Sequence, residues 1–171
     1  MTYKQILWEV KRNPEKRFRY LIYLMRVSAL LTHKESVLTR FTGHIIGSFY
    51  AFFSGWLLNI DLSYNTEIGE GLVIYHGMGL VINPSAIIGK NATLRQNTTI
   101  GNASFNGEAP VIGNNVDVGS NSIIIGDITV GDNCVIGAGS VVTKNVPDNC
   151  TVVGNPAYII KKEGKACKEK L

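Results

Sequence analysis

From Leu62 to Val142 a branched aliphatic residue returns every six positions, and this period constrains the fold more than any other feature. Leu62, Ile68, Ile74 and Leu80 stand six apart. After a slip of two the series resumes at Ile88, Leu94 and Ile100. It misses a beat at Asn106 and continues through Ile112, Val118, Ile124, Val130, Ile136 and Val142. Six matches neither the 3.6 of a helix nor the 2 of a half-buried strand. It is a repeat signal, and repeats this short build parallel β-helices. Each unit supplies one short strand and one turn, and three units make a coil around a triangular prism. The branched residue points inward and stacks on its counterpart in the next coil. A β-sandwich accommodates thirteen in-register aliphatics poorly, because its strands vary in length and spacing.

Gly follows the inward residue at 69, 89, 101, 113, 119, 131 and 137. Together with Asn91, Asn114, Asn115, Asn121 and Asn133, these glycines are expected to take the positive φ of sharp corners. The missed beat falls in NASFNGEAP, Asn102 to Pro110, which is expected to loop out of the prism. Loops on a rigid scaffold are where binding tends to reside.

Residues 1–60 have a different character and read as helices. Asn13-Pro14 predicts a helix start with Asn as cap. Phe18, Leu21, Ile22, Met25 and Leu30 follow at helical spacing, with Arg17, Arg19 and Arg26 between them. A further helix is expected from about Lys34, carrying Val37, Leu38, Phe41 and Ile45. Residues 41–60 hold no formal charge, but Thr42, Gly43, His44, Ser48, Ser54, Gly55 and Asn59 interrupt them. A helix buried between subunits or against the repeat body fits better than a membrane span. The amphipathic basic helix before it leaves peripheral contact with a membrane surface open.

Net charge is +6 over residues 1–60, −5 over 61–160 and +3 over 161–171. The acidic middle lacks the basic and aromatic interleaving of a nucleic-acid surface. Cys134, Cys150 and Cys167 form no CxxC pair, which argues for a reducing, cytoplasmic compartment and against a disulfide framework or zinc knuckle. The N-terminus has mixed charge where a secretion signal needs an apolar run. The expected organisation is a helical region (1–60), a repeat domain (61–160) and a basic tail (161–171).

The segments IGEGLVIYHGMGLVI, IGKNATLRQNTTIGN, VIGAGSVV and VPDNCTVVGNPA resemble the serine acetyltransferase-like branch of the hexapeptide acyltransferases. More closely they resemble the polysaccharide O-acetyltransferases of that branch, such as the colanic acid acetyltransferases. The resemblance spans about residues 55–162. It implies a mainly β fold, a left-handed parallel β-helix behind a short helical region. It also implies a homotrimer, acetyl-CoA as donor, and active sites between neighbouring prisms.

His76 is the only histidine of the repeat region. It stands two places after the inward Ile74, so the repeat phase puts it at a corner and not in the core. A neutral imidazole accepts the proton of an alcohol well, and the matching histidine of the family is the general base. Asp61, fifteen residues earlier, stands where serine acetyltransferases carry the carboxylate that orients this histidine. Such a carboxylate fixes the tautomer and stabilises the imidazolium; the other reading is a turn aspartate at the start of the prism. By resemblance Ser120, Ala138 and Gly139 flank the pantetheine arm, and Lys144, Lys161 and Lys162 meet the CoA phosphates. The lysine-rich end reads equally as a solvated tail. No metal is expected, since His33 and His44 lack partners at metal-like spacing.

The chain departs from serine acetyltransferases on the acceptor side. Glu108 and Ala109, before Pro110, stand where those enzymes carry an arginine and a second histidine, and Tyr75 replaces the acidic residue before the catalytic histidine. Glu108 would repel the carboxylate that an arginine suits. The expected acceptor is therefore a sugar or glycan of surface polysaccharide biosynthesis, with Tyr64 and Tyr75 as stacking faces and Asn102, Asn106 and Glu108 as hydrogen-bonding partners. The alternatives are serine O-acetylation in cysteine synthesis and a non-catalytic structural trimer. A γ-carbonic anhydrase-like metal protein would need three histidines on the prism.

Overall fold

The computed structural model describes residues 1–171. Three helices, α1 (Tyr3–Arg12), α2 (Lys16–Thr32) and α3 (Val37–Phe52), precede a parallel β-helix of about five turns. A single π-helical turn, Phe53–Leu57, joins α3 to the first coil. Helix α1 was not singled out by the apolar spacing. Its start is a capping box, in which the Thr2 hydroxyl accepts from Gln5 N–H and the Gln5 side chain accepts from Thr2 N–H.

The prism has three parallel faces. One stacks β1 (Asp61–Leu62), β4 (Val81–Ile82), β7 (Thr99–Gly101), β10 (Ile123–Ile125) and β13 (Val141–Val142). The second stacks β2 (Glu67–Ile68), β5 (Ile87–Ile88), β8 (Val111–Ile112) and β11 (Thr129–Val130). The third stacks β3 (Val73–Tyr75), β6 (Thr93–Arg95), β9 (Asp117–Val118), β12 (Val135–Ile136) and β14 (Cys150–Val153). All thirteen aliphatics of the six-residue series are buried.

The register differs from expectation at one place. Ile82, not Leu80, pairs with Leu62 below it and Ile100 above it. The two-residue slip therefore lies between Ile74 and Ile82, and widens the corner that carries His76, Gly77, Met78 and Gly79. Leu80 and Ile82 are both buried aliphatics two apart, so periodicity alone cannot choose between them. The second irregularity falls where expected. Ile88 pairs with Ile112, and residues 102–110 project between β7 and β8, with Phe105 96% exposed near the tip.

The corner residues divide differently from expectation. Asn91, Asn115, Asn121 and Asn133 have positive φ, as do Asn97 and Asn149, while Asn114 does not. All six of these positive-φ asparagines belong to two ladders of amide hydrogen bonds between coils, Asn91 to Asn115 to Asn133 to Asn149 and Asn97 to Asn121. None of the glycines that follow the inward aliphatics has positive φ. Except for Gly101, they are required by close approach of the next coil instead. A Cβ on Gly69 would lie 2.7 Å from Gly89 C, and one on Gly89 2.6 Å from Gly113 C.

A parallel prism leaves the backbone of its first coil without a neighbour, and buried unpaired groups are costly. Side chains of the helices and of the link between α1 and α2 fill that row. Asn13 does not cap α2; its amide donates to Leu72 O (2.9 Å) and accepts from Ile74 N–H (2.8 Å). Glu9 accepts from Leu72 N–H (2.7 Å), Glu15 from His76 N–H (2.8 Å), and Tyr50 OH donates to Leu62 O (2.7 Å). Arg26 donates to Ile68 O and Gly69 O and forms a two-pronged pair with the fully buried Glu9, both contacts at 2.8 Å. Glu9→Gln leaves the Arg26 charge without its partner, and is expected to cost roughly 2–3 kcal/mol. Chemical denaturation reads this directly, and an unchanged midpoint would show that the pair does not hold the helices to the prism.

At the far end the basic segment expected as a tail is ordered. β15 (Tyr158–Lys162) adds antiparallel to β14, β16 (Lys165–Lys170) adds antiparallel to β15, and together they extend the third face.

Candidate active site at the first coil

His76 follows β3 at the widened corner with φ of 53°, a left-handed conformation rarely held by residues other than glycine and asparagine. Its side chain is 69% exposed. The imidazole Nδ1 lies 3.1 Å from Glu15 Oε1, the same oxygen that accepts from the His76 backbone N–H. The other Glu15 oxygen accepts from Arg17 Nε at 2.7 Å. Partial burial pushes the Glu15 carboxyl up, but the His76 N–H and the Arg17 guanidinium outweigh it and hold the group below the usual glutamate value. Sequence reasoning missed Glu15. It lies sixty-one positions before His76, and nothing local marks it as a neighbour of the prism.

Asp61 lies exposed on β1, and no hydrogen bond joins it to His76. With Asn59, Ser63, Tyr64, Gly79 and Val81 it lines a cavity of about 420 Å³ between the first coil and the end of α3. Tyr64 is taken up by the helices: it meets Tyr50 edge-on at 6.3 Å, its hydroxyl lies 3.3 Å from His44 Nδ1, and its ring fits over Gly47. Tyr75 has the Arg95 guanidinium over its ring at 5.6 Å, and Arg95 is itself paired with Asp117. The Asn102 amide is spent on accepting from Asn83 of the prism and donating to the Ser104 carbonyl of the loop. Asn106 and Glu108 are exposed on that loop. The expected acceptor residues thus do not converge within one chain.

The donor-side residues fall into two groups. Ser120, Ala138 and Gly139 share one corner in successive coils, where Gly139 N–H donates to Ser120 O at 2.9 Å. Gly139 has a φ of 71° and open space where a Cβ would stand. Lys144 donates to the Leu171 carbonyl at 2.8 Å and lines a cavity of about 640 Å³ with Asn155, Pro156, Ala157 and Lys168. Lys161 and Lys162 lie on β15, with Lys162 3.8 Å from Glu169. No three His, Cys, Asp or Glu side chains are placed to share a metal ion. No helix is long and apolar enough to cross a membrane.

This prism, with a lone exposed histidine at its first coil, defines a class. Residues 109–144 match the bacterial transferase hexapeptide (six repeats) family. The chain is 39% identical over 127 residues to the putative colanic acid biosynthesis acetyltransferase WcaB of Escherichia coli K12, covering 74% of this chain and 78% of that one. It is 38% identical over 141 residues to a serine acetyltransferase of Staphylococcus epidermidis, covering 81% of this chain and 64% of that one. The crystal structure of serine acetyltransferase from Brucella abortus superposes with a TM-score of 0.77 at 26% identity, covering 93% of this chain and 68% of that one. The chain belongs to the hexapeptide-repeat acyltransferases. It spans about half to two thirds of the length of the serine acetyltransferases it matches.

These likenesses overturn the expectation of a sugar or glycan acceptor. The similar proteins and the superposing structures are mostly serine acetyltransferases. The argument from Glu108 fails for a physical reason: its carboxylate sits in solvent on the projecting loop, where water and salt screen it. A screened charge is a weak basis for excluding a substrate carboxylate.

Proposed function

We propose that the protein is an acetyl-CoA-dependent O-acetyltransferase whose acceptor is serine. The observation that carries the reading is His76 itself, an exposed imidazole held in a left-handed conformation with the Glu15 carboxylate 3.1 Å from Nδ1. In this reading Nε2 takes the proton of the serine hydroxyl as its oxygen attacks the thioester carbonyl. The imidazolium returns that proton to the departing CoA sulfur as the carbon–sulfur bond breaks. Asp61, exposed beside the cavity at the first coil, is the second carboxylate of the site and suits the serine ammonium.

On the donor side the small residues Ser120, Ala138 and Gly139 let the pantetheine approach the backbone, and Lys144, Lys161 and Lys162 serve the CoA phosphates. The assembly proposed is a homotrimer with the site in the groove between prisms. Exposed aliphatics on two faces of the prism, Val81 and Ile123 on the first and Ile87 and Val111 on the second, are available to such an interface. The outward stripe of α3, Val37, Phe41, Ile45, Phe49 and Phe52, is the surface through which peripheral membrane contact would be made. Two of the three free thiols, Cys134 and Cys150, are buried, in keeping with a cytoplasmic setting.

The test is release of CoA thiol from acetyl-CoA with and without serine. A kcat/KM for serine near 10⁴ M⁻¹s⁻¹ or above, within the usual enzyme range, is expected. Release that serine does not stimulate would reject this acceptor.

A further inference from the structure

We infer that α3 is an in-plane anchor for an anionic lipid surface, with the basic helical region supplying the headgroup contacts. The inference rests on the reading of α3 as a membrane-facing helix. It goes beyond that reading by fixing the charge of the lipid and the residues that enter it. It is independent of the acceptor.

Three observations carry it. First, the two faces of α3 are reversed from those of an ordinary surface helix. Its buried positions are Gly43, Gly47 and Tyr50. A Cβ on Gly43 would stand 2.7 Å from Thr32 N of α2, and one on Gly47 2.8 Å from Ser28 Oγ. The large apolar side chains point the other way. Phe41, Ile45, Phe49, Phe52 and Trp56 are between 44% and 83% exposed, and Phe52 stacks on Trp56. A contiguous exposed patch of this kind marks a contact surface.

Second, the charge around the stripe has one sign. From Lys16 to Ile60 the cations are Lys16, Arg17, Arg19, Arg26, Lys34 and Arg40, and the only carboxylate is Glu35. Lys16, Arg19, Lys34 and Arg40 form no ion pair. Arg40 stands on α3 itself, one position before Phe41. Third, the net charge of +6 over residues 1–60 and −5 over 61–160 turns the helices toward an anionic surface and the prism away from it. The helices of a second copy would meet this end with the same sign.

α3 has 16 residues, and no helix is long and apolar enough to cross a bilayer. A helix with an aromatic stripe and flanking cations lies in the interface plane, its rings at the headgroup boundary. Ala51, Ser54 and Gly55, at the end of this helix, also line the cavity that holds Asp61. Docking of α3 therefore holds the first coil beside the lipid surface.

The test uses full-length protein carrying Trp8→Phe, which leaves Trp56 as the single tryptophan. It is mixed with vesicles of two parts phosphatidylcholine to one part phosphatidylglycerol, or of phosphatidylcholine alone. With the anionic vesicles Trp56 emission is expected to shift to the blue and to be quenched by brominated acyl chains. Arg40→Gln is expected to weaken binding about fivefold, the contribution of one cation near an anionic surface. Phe49→Ser is expected to weaken it about tenfold or more through lost apolar burial. Raising the salt to about 1 M should remove the preference for anionic vesicles. Both substituted side chains are exposed, so an unchanged thermal transition is expected. Absence of any shift with anionic vesicles overturns the inference. Equal binding to the two compositions also overturns it, while leaving α3 as a membrane contact. A lower mass in solution for Phe49→Ser would show that a second copy covers the stripe, and overturns it as well. Vesicle binding needs no substrate, so its failure is separate from any failure of serine acetylation.

Discussion

His76→Asn is expected to lower turnover by about 10²–10⁴, the usual contribution of a general base, while leaving the prism intact. Asparagine is a better probe here than alanine. The corner demands a φ near 53°, and six corner asparagines of this same prism, from Asn91 to Asn149, sit between 55° and 58°. The substitution removes the base yet keeps a residue at home in the backbone conformation. Loss of activity with an unchanged thermal transition therefore reports chemistry and not folding. Near-normal turnover in the folded variant would remove His76 from the mechanism.

Ile124→Asp is expected to unfold the prism altogether. Ile124 is fully buried in β10, paired in register with Ile100 below and Val142 above. A carboxylate there has no cation or donor to meet it, and the cost of several kcal/mol is comparable to a domain's whole stability. Because each coil uses its neighbours as its walls, the damage should not stay local. Far-UV circular dichroism and a denaturation curve read the result. A variant that melts near the wild-type temperature would mean that this row does not form the dry interior.

How much of this was legible in the sequence depends on how far each interaction reaches along the chain. The six-residue period announces the prism because each unit repeats the same local solution, an inward aliphatic and a turn. The placement of His76 at a corner follows from the same phase. The position of the slip does not, because Leu80 and Ile82 satisfy the interior equally well. The glycines mislead for a related reason: in sequence a residue chosen for positive φ looks the same as one chosen because the next coil lies under 3 Å from any Cβ. Asn13 reads as a helix cap, but two bare backbone groups, Leu72 C=O just before β3 and Ile74 N–H within it, compete for its amide and win. Glu15 is beyond sequence reasoning altogether, since its meeting with His76 depends on how the helices dock. Tyr64 and Tyr75 look like free aromatic faces until Tyr50 and Arg95 are seen to occupy them.

The row of side chains along the first coil also settles why this repeat is finite. Each coil presents to the next the same line of N–H and C=O groups, so a bare end is a template that accepts any similar strand, including one from another molecule. A strand that covered it would satisfy the line and display a fresh one. Glu9, Asn13 and Glu15 satisfy it without reproducing it: the Asn13 amide takes up one N–H and one C=O and offers nothing further. In the terms of polymer growth, the helices are a terminator that keeps one chain's stack from becoming the seed of a fibre.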